Sequence, residues 1–343
     1  MKALMLREYG RLEYDDVPGP EVGPDDALVR VKACGICGSD VHGMDGSSGR
    51  RIPPIIMGHE AAGVVADVGA DVADFAVGDR VTFDSTVYCG ACDYCRRGQI
   101  NLCDDRRVLG VSCDEYRRHG AFAEYVAVPQ RILYRLPEGV SFEQAAMVEP
   151  LSVAVHGVRL APVGPDDTAV VVGAGLIGLL VVQALRAAGC ARVVAVDVEP
   201  HRLEMALTLG ADAGLNPEDC DVPGEVCDMT GGRGADLALE AVGVTAAVKT
   251  AVECLRKGGS LALIGNISPT VELPLQAVVT RQLSLYGSCA SCGEYPECLE
   301  MIARGAVNVD ALISAVAPMA EGASWFERLY NREPRLMKVI LVP

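Results

Sequence analysis

Cys89, Cys92, Cys95 and Cys103 fall in the run YCGACDYCRRGQINLC, separated by gaps of two, two and seven residues. This spacing lets one short stretch of chain wrap a single tetrahedral metal. Thiolates bind zinc as S⁻, and four of them close its coordination sphere, leaving no position for water or substrate. The predicted role is therefore structural, a zinc that holds a loop over about residues 88–104. Two disulfides or an iron–sulfur cluster are the competing readings. The opening residues MKALMLREYG are charged and lack an apolar leader core, which points to the cytoplasm and away from disulfides. The proline that follows the last cysteine of cluster-binding runs is here Asp104.

A second donor set is dispersed. Cys37 lies in ACGICGSDVH, and His59 and Glu60 lie in IMGHEAAG. A cysteine, a histidine and a carboxylate leave a fourth position free, which distinguishes a catalytic zinc from a closed one. On spacing alone these residues fit a packed core equally well.

A third feature addresses a nucleotide. Gly173-Ala174-Gly175-Leu176-Ile177-Gly178 follows an apolar strand and opens a helical stretch. In such a turn the first glycine makes the bend, the second admits the pyrophosphate, and the third packs helix on strand, with phosphates at the positive helix end. Asp197 ends the next strand, VVAVDV, nineteen residues beyond Gly178. A carboxylate there accepts the adenosine ribose hydroxyls and repels a 2′-phosphate, so NAD is expected over NADP. Arg202 is a competing signal for a phosphate, and packing on adenine is the role expected of it.

The elements that must position these groups change character near residue 155. Before it, LVRVKACG, AAGVVADVG and DRVTF are short β-rich segments broken by glycine, proline and aspartate, as in an irregular antiparallel barrel. After it, TAVVVGAG, RVVAVDV, DLALEAVG, SLALIGN and LSLYGS alternate with helical stretches, the pattern of a parallel sheet covered on both faces. A helical YPECLEMIARG and a strand-like MKVILVP are expected to return to the first domain. The 343 residues are half apolar, enough for about two domains with buried cores. The longest apolar run, from Ala169 to Leu185, is broken by glycines, so no membrane span is expected. A net charge of −16 argues against nucleic acid. Of the fourteen cysteines, those such as Cys190, Cys254 and Cys298 read as small buried hydrophobes.

CGICGSDVH, GHEAAG, the four-cysteine run, VEPLSVAVH and GAGLIG occur in the order found in zinc-dependent medium-chain dehydrogenases, which the chain resembles over essentially its whole length. Within that family it is similar to the polyol dehydrogenases acting on sorbitol (iditol) and galactitol phosphate. Glu149 stands where classical alcohol dehydrogenases carry a cysteine ligand. L-threonine 3-dehydrogenases also carry a glutamate there and are the nearest alternative. The resemblance implies an α/β protein with a GroES-like irregular β-barrel catalytic domain over 1–154 and 290–343, and a doubly wound Rossmann NAD-binding domain over 155–289.

It also implies roles. Cys37, His59 and one of Glu149 or Glu60 hold a catalytic zinc, with the other glutamate close by. A polyol or other secondary alcohol then gives a hydride to NAD. Ser39 takes the alcohol proton and His42 passes it outward. Val242 and Gly243, with Ile264, Gly265 and Asn266, sit at strand ends where ligands of open α/β sheets bind. Lys338 is a pyrophosphate contact or a solvated lysine. Arg50, Arg51, Tyr116, Arg117 and Arg118 are substrate candidates, whereas His119 is not assigned to zinc. A homodimer or homotetramer is expected, with LSLYGS available to pair between subunits. A zinc-free quinone reductase and a non-enzymatic NAD-binding protein are the other classes weighed, and the intact donor sets argue against both.

Overall fold

The computed structural model describes residues 1–113 and 116–343, the side chains of Cys113, Tyr116 and Arg117 lying outside that description. The chain forms two compact units. One comprises Met1–Glu149, Tyr295–Arg304 and Val309–Pro343, the other Pro150–Glu294 and Gly305–Asn308.

The first unit is an irregular β-barrel built around the strand Asp26–Gly35. That strand pairs along one edge with Glu60–Val68; along the other it pairs with Tyr125–Pro129 and then Lys338–Val342, always antiparallel. Its residues alternate as far as Lys32, with Ala27, Val29 and Val31 buried. Its last three, Ala33, Cys34 and Gly35, are all buried, so the strand ends enclosed on both faces. Two bulges, between Leu28 and Val29 and between Val31 and Ala33, bend it. Phe122 and Phe326, both fully buried, meet edge to face at 5.6 Å in the core. The terminal strand Lys338–Val342 lies in this unit, carried there by the parallel neighbour Ile313–Pro318.

The second unit is a six-stranded parallel sheet in the order Ala213–Leu215, Arg192–Val196, Thr168–Val172, Ala235–Glu240, Leu255–Leu263, Ser284–Gly287. The order reverses at Thr168–Val172, so a crevice opens beyond its carboxyl end, where such sheets bind ligands. Every residue of that strand is buried, as both-face coverage requires. The strand Leu255–Leu263 begins earlier than its sequence suggests, taking in the polar Arg-Lys-Gly-Gly through a register shift against Ala235–Glu240. Among the described residues no helix is long and apolar enough to cross a membrane.

Candidate metal centres and cofactor turn

The four cysteines converge. Their sulfurs lie within 4.8 Å of one another and all four are free thiols, so the loop gathers one donor cage rather than two disulfides. Backbone N–H groups orient them: Ala91 and Cys92 donate to Cys89 Sγ (3.4 and 3.3 Å), Cys95 donates to Cys92 Sγ (3.5 Å), and Cys89 donates to Cys103 Sγ (3.2 Å). Those bonds hold the Cys89 thiol down at about 6, whereas burial and the neighbouring thiols push Cys95 up to about 12. Without a cation the four cannot all ionise side by side. A divalent soft metal removes that conflict, which is the fit expected of a zinc held by four thiolates.

Cys37, His59 and Glu60 form the second group, their donor atoms also within 4.8 Å of one another. Local structure brings them together in two steps. Cys37 is the N-cap of the helix Gly38–Met44, with extended backbone that turns the chain out of the strand Asp26–Gly35. Glu60 opens the strand Glu60–Val68, directly opposite Gly35 in the ladder. A Cβ at Gly35 would sit 2.3 Å from Glu60 Oε2, so glycine lets that carboxylate lie close against the strand.

Each donor has a support. Asp40, fully buried on the third residue of the helix, lies 3.4 Å from His59 Nδ1 and receives Arg51 through Nη2 (2.9 Å) and Nε (3.3 Å). Burial opposes ionisation of Asp40, but His59 and Arg51 outweigh it and hold the carboxyl well below the usual range. Burial likewise opposes a charged His59, yet Asp40 and Cys37 raise its pKa; a metal would displace that proton. Glu60 Oε2 accepts from Lys338 Nζ (2.5 Å), which also donates to the Ile36 carbonyl (3.0 Å). Lys338 and Glu60 are each 1% exposed, and losing either partner would strand a buried charge at a cost of about 3–5 kcal/mol. Glu60 Oε1 is buried without a hydrogen-bond partner. An orphaned carboxylate oxygen beside a thiol and an imidazole completes a donor set that suits zinc.

Glu149, second residue of the helix Val148–Leu160, is not in the group whose donors meet within 4.8 Å. It is electrostatically close all the same. Burial, together with the Glu60 and Asp84 carboxylates, raises its carboxyl to about 7, against His59 and Lys338. Ser39 is exposed and its Oγ accepts from Arg51 Nη2 (3.2 Å), and His42 is exposed on the same helix.

Two expectations are corrected. Lys338 is not solvated: its amine is committed to Glu60 and Ile36. Arg51 is not a free cation for substrate, because it is 3% exposed and serves Asp40 and Ser39. Arg118 is bound to Asp26 and the Ala127 carbonyl. His119 Nδ1 accepts from the Ile56 N–H (3.2 Å) and belongs to neither donor group. Asp40 could have been found from the sequence, because an acidic residue in the first turn of a helix is a helix-start signal. The Arg51 and Lys338 partnerships span eleven and 278 positions and leave no such local trace.

In the second unit, Gly173 has φ +95° at the turn after Thr168–Val172. Gly178 sits where a Cβ would overlap the Gly173 carbonyl at 1.7 Å, and the space over Gly175 is open to 4 Å. The three glycines thus show the bend, the close packing and the open approach that a pyrophosphate needs. Leu176 and Ile177 begin the helix Leu176–Ala187. Asp197 is 8% exposed and closes the turn: Oδ2 accepts from Ala174 N (2.7 Å) and Oδ1 from Glu199 N (2.9 Å). Arg202 Nη1 lies 3.6 Å from Asp197 Oδ2. Val242 and Gly243 follow the strand Ala235–Glu240, while Ile264, Gly265 and Asn266 follow Leu255–Leu263.

A β-barrel carrying two thiol-based donor sets, with a glycine turn on a doubly wound sheet, defines a zinc-binding dehydrogenase. Residues 23–138 match the alcohol dehydrogenase GroES-like domain, and residues 177–304 match the zinc-binding dehydrogenase domain. The chain is 34% identical to sorbitol dehydrogenase of Bacillus subtilis (strain 168), over all of this chain and 97% of the relative. It is 36% identical to L-idonate 5-dehydrogenase of Vitis vinifera, over 86% of this chain and 81% of the relative. The structure of alcohol dehydrogenase TADH from Thermus sp. ATN1 superposes with a TM-score of 0.93 at 33% identity, covering 100% of this chain and 99% of that one. The chain belongs to the zinc-dependent medium-chain alcohol dehydrogenase family, among its polyol-dehydrogenase-like members.

Proposed function

We propose that this protein oxidises a secondary alcohol of a polyol, sugar alcohol or cyclitol, free or phosphorylated, to the ketone, using NAD and a catalytic zinc. The observation that carries the reading is the Cys37–His59–Glu60 group, half-buried at Cys37 and buried at the other two, with an orphaned Glu60 oxygen and a carboxylate behind the histidine. Residues 1–154 and 290–343 are assigned the metal and substrate chemistry, and residues 155–289 the nucleotide.

When bound, zinc supplies Lewis acidity at the substrate oxygen and the nicotinamide ring accepts the hydride. The chain does the rest. Cys37, His59 and Glu60 would hold the metal, Glu149 stands close as an alternate donor, and Asp40, 3.4 Å from His59 Nδ1, would orient the histidine ring. Ser39 takes the alcohol proton and His42, exposed to solvent, releases it. Asp197 receives the adenosine ribose and disfavours a 2′-phosphate, Arg202 packs at the adenine, and Gly173, Gly175 and Gly178 admit the pyrophosphate.

A homodimer or homotetramer is supported by exposed Ile267, Leu275 and Val279, which precede the strand Ser284–Gly287 at the open edge of its sheet. Free thiols throughout the described cysteines favour the cytoplasm. Metal analysis should find two zincs per chain. A screen of sorbitol, xylitol, galactitol, cyclitols, their phosphates and threonine should show NAD reduction with a polyol. Turnover with threonine alone would move the protein to the threonine dehydrogenases, and a preference for NADP would transfer the deciding role from Asp197 to Arg202.

A further inference from the structure

Glu240, the last residue of the strand Ala235–Glu240, is fully buried and touches neither donor set. Four backbone N–H groups converge on it. Its side-chain Oε1 accepts from Val242 N (2.8 Å) and Gly243 N (2.7 Å), closing the turn after its own strand. Its main-chain oxygen accepts from Ile264 N (2.8 Å) and Gly265 N (3.0 Å), closing the turn after the neighbouring strand. The two turns then meet backbone to backbone: a Cβ on Gly243 would lie 2.4 Å from Asn266 N, and one on Gly265 would lie 2.2 Å from Gly243 N. Because a trans peptide points its N–H and C=O in opposite directions, tying down the Gly243 and Gly265 N–H groups turns the Val242 and Ile264 carbonyls away from Glu240. The second carboxylate oxygen, Oε2, is buried and has no hydrogen-bond partner.

We propose that Glu240 is a positioning residue for the nicotinamide half of the cofactor, clasping the Val242–Gly243 and Ile264–Asn266 turns into one rigid surface at the carboxyl end of the sheet. The inference rests on the proposed reading that these turns receive that half of NAD. Glu240 acts as a hydrogen-bond acceptor, since only Oε1 and the main-chain oxygen are engaged. Glu240→Gln keeps the Oε1 acceptor and sets its amide nitrogen where Oε2 bonds to nothing, so the clasp survives. Glu240→Met keeps length and bulk and loses the acceptor. Glu240→Leu also loses the acceptor, with a branched side chain in place of the straight one.

The test measures binding of NADH and of ADP-ribose, which lacks the nicotinamide, alongside the KM for NAD in the zinc-loaded enzyme. Losing two hydrogen bonds in a closed turn predicts roughly tenfold or more weakening of NADH binding and a matching rise in KM for Glu240→Met and Glu240→Leu. ADP-ribose affinity should stay within about twofold, and Glu240→Gln should match the unmodified protein in every readout. Should Glu240→Met fail to fold, Glu240→Leu carries the same test. Equal weakening of NADH and ADP-ribose, no weakening of either, or a Glu240→Gln protein that behaves like Glu240→Met each overturns the clasp. An unmodified protein that binds neither nucleotide overturns the proposed function and this inference together. One that binds NADH yet oxidises no polyol overturns the substrate class and leaves the Glu240 measurement decisive through binding.

Discussion

The two thiol-based donor sets of this chain are built by opposite means. The four-cysteine loop draws every donor from fifteen consecutive residues, is largely exposed, and is organised by its own backbone N–H groups. The Cys37–His59–Glu60 group takes its donors from a helix N-cap and from the residue before and the first residue of a strand, buries His59 and Glu60 and half-buries Cys37, and leans on Asp40, Arg51 and Lys338. A closed local cage can be self-sufficient, because four thiolates satisfy the metal and the metal fastens the loop. A site that must keep a position for substrate lacks that fourth ligand and needs a rigid surround to hold three donors in place.

The sharpest break between the two is functional. Cys37→Ala or His59→Ala should lower alcohol oxidation by about a thousandfold or more while one zinc remains and NADH still binds. Metal analysis with nucleotide titration checks this, and an active, two-zinc Cys37→Ala protein is incompatible with the proposed chemistry. Asp40→Asn tests the dependence on a surround: it keeps the shape behind His59 but removes the charge that Arg51 and His59 share. Zinc affinity at that site should fall about 10- to 100-fold, measured by competition with a chelator, with the four-cysteine zinc unaffected.

Cys95→Ser is the converse. It should release the other zinc and lower Tm by roughly 5–10 °C, while protein that remains folded keeps much of its turnover per catalytic zinc. Equal loss of activity in Cys95→Ser and His59→Ala would erase the distinction between the two sites. The smallest change is Gly35→Ala. Its Cβ would force Glu60 and its Lys338 partner to shift, so about 1–3 kcal/mol of stability should be lost in denaturant unfolding, whereas an alanine on the four-cysteine loop at Gly90, whose Cβ meets nothing within 4 Å but whose φ is +75°, should cost only the backbone strain of that turn, about 1 kcal/mol.

Legibility in the sequence follows the same divide. The cysteine run, the glycine turn with Asp197, and the switch from broken β segments to alternating strands and helices are all local patterns, and local patterns are set by chain geometry over a few residues. Short elements such as the strand Ala213–Leu215, and the polar start of Leu255–Leu263, escaped because their pairing partners, not their own residues, make them strands.

The residue types alone thus determined the metal chemistry available, the nucleotide turn and the family. Only the tertiary structure shows that Glu60 lies beside Cys37 and His59, that Lys338 is spent on Glu60 and Arg51 on Asp40, and that Glu240 bonds the backbone of two turns. The reason is burial. A charged group taken out of water must find its partner wherever the fold supplies one, and here that partner is often far along the chain.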